Sequence, residues 1–129
     1  MTTLTRAGTT VTLSDHLQWA DEFSWSAVQQ STERSITGSL HVDVAAATGG
    51  RQITLESGED FGWIARQDAE QLAAWRDIPG AEFDLVLRGV TRTVIFDHER
   101  TAVEYQPVVD YADTLGSDPC RVTLRFIEI

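Results

Sequence analysis

The stretch CRVTLRFIEI, residues 120 to 129, limits what this chain can fold into more than any other. Val122, Leu124 and Phe126 alternate with Arg121, Thr123 and Arg125, the two-residue period of a strand with one dry face and one wet face. Ile127 and Ile129 then fall on the otherwise polar side. Such a strand needs cover. Either it lies inside a sheet of its own domain, or another subunit packs against its edge or outer face.

The same period recurs along the chain. In ITGSLHVDV, Ile36, Gly38, Leu40, Val42 and Val44 alternate with Thr37, Ser39, His41 and Asp43, which predicts a half-buried strand. QITLE, EFDLVLRG, TRTVIFD and VEYQPVV repeat it more briefly, with Phe83, Leu85 and Leu87 facing away from Asp84. Gly89 stands between two of these runs, where a tight hairpin needs positive φ. Gly49-Gly50 and the pair Gly58 and Gly62 mark further turns. The count comes to roughly six to nine strands.

One segment breaks the period. ARQDAEQLAAWRDIPG sets Ala65, Ala69, Leu72 and Trp75 at near-helical spacing, with Asp68 and Glu70 early and Pro79-Gly80 as a stop. This predicts one helix over about residues 66–77. The fold class is therefore mainly β, a β-sandwich or split β-barrel with one short α-helix, in a single domain over residues 1–129.

Composition narrows the function. Twenty acidic against ten basic side chains give a formal charge of -10, which argues against general affinity for nucleic-acid phosphates. Cys120 is the one cysteine, so neither an internal disulfide nor a multi-cysteine metal cage can form; a small strand residue is its expected role. MTTLTRAGTT does not have the pattern of a signal peptide, and the apolar runs are far shorter than the roughly 20 residues that span a bilayer. The expectation is a soluble protein that stays inside the cell that makes it.

No catalytic, metal or cofactor site is spelled out. His16, His41 and His98 are scattered: His98 in DHER lacks a helical metal spacing, and His41 has only Asp43 as a near partner. Glu56, Glu59 and Asp60 fall in a glycine-containing loop, and Asp110, Asp113 and Asp118 in a polar one, so surface charge is the expected role; a small hydrolase using Glu56, Glu59 and Asp60 is a distant reading. No GxSxG elbow is present, and Gly49-Gly50 leads into a strand instead of the helix a phosphate loop requires. Of the four tryptophans, Trp63 and Trp75 read as packing residues. Trp19 and Trp25 lie in WADEFSW, two aromatics and two acids without alternation, as in a projecting hairpin or contact loop. The candidate interface residues are Trp19, Phe23, Trp25, Arg121, Arg125, Ile127 and Ile129.

The order of pieces adds a resemblance. GGRQITLES, then GWIARQDAEQLAAWRDIPG, the hairpin FDLVLRGVTRTVIF, VEYQPVVDY and RVTLRFIEI together resemble small structural proteins encoded in the tail modules of bacteriophages and prophages. The strand, short helix, PG and hairpin also look like the N-terminal barrel domain of distal tail proteins, although the chain is shorter than those proteins typically are. The likeness spans roughly residues 36–129, and DEFSWSAVQQSTERSITGSL is similar to the same prophage proteins. It implies a non-enzymatic virion component of the tail tip or baseplate, assembled in the host cytoplasm. Its partners would be other tail and baseplate proteins. It would form a homo-oligomeric ring, commonly hexameric, around a channel through which DNA passes without specific binding, with no cofactor and no membrane. The alternative from another class is a monomeric β-sandwich module that binds a peptide or carbohydrate through Trp19, Trp25 and a sheet face. A ring subunit needs apolar patches on two opposite sides; a binding module needs one concave patch.

Overall fold

A computed structural model describes residues 2–47, 49–108, 112–113 and 115–129. The chain is mainly β, a β-sandwich with one short helix. Two strands open it, β1 (Thr2–Arg6) and β2 (Thr9–Leu13), joined through Ala7 and Gly8 at positive φ. A two-residue strand β3 (Gln18–Trp19) precedes the long pair β4 (Val28–Arg34) and β5 (Leu40–Ala46). Then come β6 (Gln52–Glu56), the short β7 (Ile64–Ala65) and helix α1 (Arg66–Arg76). The chain finishes with β8 (Glu82–Leu87), β9 (Val90–Phe96), β10 (Val103–Pro107) and β11 (Pro119–Glu128).

β11 is the middle of this architecture. Along one edge it pairs with β9 near Phe126–Glu128 and with β10 near Cys120–Leu124; along the other it pairs with β6 near Thr123–Ile127 and with β7 at Pro119 and Cys120. The edge that the sequence left open to another subunit is thus filled by the chain itself. The full sheet runs β2-β1-β8-β9-β11-β6-β3, every pairing antiparallel, and its two ends do not close into a barrel.

The period of CRVTLRFIEI is realised in burial. Cys120, Val122, Leu124 and Phe126 are essentially inaccessible, each such aliphatic or aromatic side chain contributing about 1.5–3 kcal/mol by leaving water. Phe126 stacks on Phe96 at 5.2 Å, Phe96 meets Phe83 edge-on at 4.8 Å, and Phe83 lies 5.4 Å from Trp75 of the helix. This aromatic chain ties α1 to β8, β9 and β11, adding about 0.5–1.5 kcal/mol per pair beyond burial.

The helix lands within a residue of its expected span. Ala69, Leu72 and Trp75 are buried as the spacing requires, while Ala65 sits before the helix in extended conformation. No side chain caps the start; instead the backbone N–H groups of Arg66 and Gln67 donate to the carbonyls of Asp118 and Gly116. Gly89 takes φ +76° in the β8–β9 turn, as expected, with Arg88 also at positive φ.

Two expectations fail. Eleven strands are present among the described residues, beyond the six to nine read from the sequence, because β1, β2, β4 and the two-residue strands have few large apolar residues to mark them. And β5, expected to be half buried through Leu40, Val42 and Val44, is exposed along its whole length. Among the described residues it pairs with β4 alone, equally exposed, and the two form a sheet of their own whose apolar face is exposed.

The core and this separate hairpin should respond differently to substitution. Phe126→Ala is expected to cost about 3–5 kcal/mol in urea unfolding, whereas Val44→Ser should change stability by no more than about 0.5 kcal/mol.

Candidate assembly interface: an uncovered arm on an arginine-clamped stem

The β4–β5 hairpin is an arm. Its register runs from Val28 opposite Ala46 to Arg34 opposite Leu40, with Ala47 N–H closing the root on the Ala27 carbonyl at 2.6 Å. Seven residues per strand give it a reach of about 23 Å. At the tip Gly38, at φ +84°, donates to the Ser35 carbonyl, and Ser35 N–H donates to Ser39, leaving Ile36 fully exposed.

Cross-strand pairing sorts the arm into two unlike faces. Val28, Thr32, Leu40, Val42, Val44 and Ala46 share one face with Gln30 and Arg34; Gln29, Ser31, Glu33, His41, Asp43 and Ala45 share the other. The first is predominantly apolar, and Val44 alone is 63 % exposed. The signal for this was present in VQQSTER, whose single large apolar residue, Val28, offers no core-facing stripe; a strand paired only with it has no route into a core.

The stem before the arm is held firmly. Both carboxylate oxygens of Asp21 accept from Thr54, one from its backbone N–H at 2.8 Å and one from its hydroxyl at 3.0 Å, while Ala20 N–H donates to the Thr54 carbonyl. Thr54 is buried, flanked by the core residues Ile53 and Leu55. Arg100 reaches the same hydroxyl at 3.4 Å and pairs with buried Asp97 at 2.6 Å, so the stem joins the loop after β9.

Trp19 organises the other side of the stem. The guanidinium groups of Arg51, Arg88 and Arg92 lie 4.7, 5.4 and 5.5 Å from its ring centre, and Arg51 also lies 5.5 Å from Trp25. Arg88 pairs with Glu22, Arg92 with Glu128, and Arg51 donates to the Glu22 carbonyl. All ten basic residues of the chain are arginines, and their planar, delocalised heads stack on aromatic rings as lysine does not.

The candidate interface residues therefore separate. Trp19 and Trp25 are half-buried stem residues, and Phe23 between them is 92 % exposed. Arg121, Arg125 and Ile127 lie half-buried on the outer face of β11, where Arg125 donates to the Thr101 carbonyl and meets Glu104. Ile129 is exposed, its N–H bonded to the Thr93 carbonyl. The structure thus groups Trp19, Phe23, Trp25 and Ile129 with the arm end and leaves Arg121 and Arg125 apart from it. Val28 and the clamp arginines Arg51, Arg88 and Arg92 were not singled out by sequence, and Leu40, Val42 and Val44 were expected on the buried side of a strand and not at an interface.

The chemistry-bearing residues are dispersed. His41 and Asp43 share the polar face of the arm, His98 is exposed after β9, and His16 lies beside the loop of Asp60, Phe61 and Trp63. Glu59 and Asp60 are exposed, and Glu56 is half-buried at the end of β6. Asp113 is exposed, Asp118 accepts from Leu115 N–H, and Asp110 lies outside the described residues. Among the described residues no three metal-ligating side chains converge. Burial pushes the Cys120 thiol up from its ordinary range. Among the described residues no helix is long and apolar enough to cross a membrane.

No protein-family model matches this chain, and no curated protein or solved structure matches it either.

Asp21→Ala removes both acceptors from Thr54 and leaves a buried N–H unpaired. Its expected cost is about 1–3 kcal/mol, with a change in tryptophan emission as Trp19 and Trp25 loosen; unchanged stability and emission would show that the stem is held by other contacts.

Proposed function

We propose that this protein is a non-enzymatic structural subunit of a bacteriophage-type tail, which builds or joins a ring at the tube end or baseplate by laying its arm against a neighbouring subunit. The observation that carries this reading is the arm itself: two seven-residue strands, exposed throughout, with an apolar face that no described residue of the chain buries. A lone two-stranded hairpin is marginal in water, and covering Val28, Leu40, Val42 and Val44 would return about 1.5–3 kcal/mol for each side chain fully buried. The arm and its turn amount to about 20 residues, the size of one side of a standard protein interface.

Two further features support it. The order of strand, helix, hairpin and long β11 carries the likeness to tail proteins on which the ring is inferred. The arginines stacked around Trp19 occupy a ring that the alternative, a peptide- or sugar-binding module, would use for its ligand. A ring of subunits each carrying a formal charge of -10 would also present DNA with a surface it does not adhere to wherever those acids face the channel.

Substituting the arm without touching the core separates assembly from folding. Wild-type protein at high concentration is expected to sediment as multimers and to show rings by negative-stain microscopy, while V42K/V44K stays monomeric with its melting temperature unchanged. In tail particles purified from producing cells, mass spectrometry should find the chain at a low, fixed ratio to the tube subunit; its absence from such particles would sink the tail assignment.

A further inference from the structure

We infer that the outer edge of β5 pairs, antiparallel and about a twofold axis, with the same edge of a second copy of this chain, so that two arms join into one four-stranded sheet. The inference rests on the assembly reading above and names the part of the arm through which two chains meet.

The ladder of the arm decides which backbone groups are left over. Ala47 N–H donates to the Ala27 carbonyl and Ser35 N–H to that of Ser39, which makes the odd-numbered residues the hydrogen-bonded pairs of the β4–β5 register. The N–H and C=O groups of Leu40, Val42, Val44 and Ala46 therefore point away from β4, along an edge that no other strand occupies among the described residues. That edge has none of the usual protection. Its register with β4 is unbroken by a bulge, and the arm holds neither proline nor lysine. The far edge of β4 is more polar, presenting Gln30, Thr32 and Arg34 beside Val28.

A second copy fits the β5 edge in one register better than in the next. With Val42 on the twofold axis, Leu40 and Val44 of one copy meet Val44 and Leu40 of the other, and the outward backbone groups of all three form a ladder. His41 then faces Asp43 of the second copy on either side of the axis, an opposite-sign pair of the kind that favours strand pairing. Moving the axis to Asp43 keeps the ladder in phase but sets two carboxylates directly opposite each other, which disfavours it. Among the described residues neither His41 nor Asp43 has a hydrogen bond or ion pair within its own chain. Across the arm, Glu33 lies opposite His41 and Ser31 opposite Asp43, so His41 comes to sit between two carboxylates.

Net charge and stability favour the same contact. The chain holds 20 acidic side chains against 10 basic ones, but from Val28 to Ala46 it holds only Glu33 and Asp43 against Arg34, so two copies repel less here than over the rest of their surface. A lone hairpin is marginal, whereas three or more strands with an apolar face hold together. Joining the arms sets Leu40, Val42 and Val44 of both copies side by side on one such face. The contact is isologous and joins chains in pairs, so a ring built through it has an even number of subunits.

V42P separates the edge from the face. It removes the outward N–H on the twofold axis and leaves the β4–β5 ladder intact, since Val42 and Thr32 are a non-hydrogen-bonded pair. Measured by sedimentation at up to about 1 mM, where even a millimolar contact is half occupied, V42P should self-associate about tenfold more weakly than wild type, with its melting temperature unchanged. H41D and D43R check the register without touching the backbone. Each alone should also associate about tenfold more weakly, and a one-to-one mixture should recover, because each altered charge then meets its opposite in the other variant. Normal association of V42P, or a mixture that stays weak, overturns the inference; if V42K/V44K is then still monomeric, the contact is made by the arm's face and the assembly reading stands. If V42K/V44K associates normally, or wild type remains monomeric throughout, the assembly reading falls and this inference with it.

Discussion

Everything in this fold depends on burying one face of β11 while both of its edges are paired. Cys120, Val122, Leu124 and Phe126 occupy the centre of the core, and four other strands, β6, β7, β9 and β10, are hydrogen-bonded to this one. Because β9 and β10 share one edge and β6 and β7 the other, β11 joins four strands that, among the described residues, do not pair with one another. The loop around residues 115–118, just ahead of it, also satisfies the first N–H groups of α1. A change in this stripe would therefore be felt in the sheet, the helix and the aromatic chain from Trp75 to Phe126 together.

The arm stands outside that cooperative unit, and its anchoring shows why the separation is orderly. Asp21 and Thr54 hold the stem to buried β6, and Arg51 stacks between Trp19 and Trp25 at the root. The hairpin is thus attached at a rigid point but contributes little to the core, so its apolar face is free to serve contacts with another molecule. Exposed edge strands are an aggregation hazard. The charged residues Glu33, Arg34 and Asp43 on the arm, and the acidity of the whole chain, restrict which surfaces can approach it.

How far the sequence could be read differs from element to element. The helix was legible because Ala69, Leu72 and Trp75 follow its period and Pro79-Gly80 stops it; the β8–β9 hairpin was legible because Gly89 marks the turn. ITGSLHVDV was read as one half-buried strand; Leu40 to Val44 do form a strand, but an exposed one, and Ile36 to Ser39 form the turn ahead of it, since alternation reports a difference between two faces and not what covers the apolar one. WADEFSW was read as a projecting hairpin or contact loop; Asp21 docks the stretch on β6, Trp19 and Trp25 are half-buried, Phe23 is exposed, and the projecting hairpin begins just after it. The clamp around Trp19 could not be seen, because Arg51, Arg88 and Arg92 come from three separate points in the chain.

By itself the sequence determined the local periods: strands throughout, one helix near residues 66–77, tight turns at glycine, and an apolar stripe at residues 120–126 that demanded cover. These follow from side-chain spacing, which acts between neighbours a few residues apart. Only the tertiary structure decided that β11 is covered from within and that the valines of β5 are not. That outcome turns on which strands find partners across the fold, a competition among long-range pairings in which β6, β7, β9 and β10 claim β11 and the polar strand β4 leaves β5 exposed.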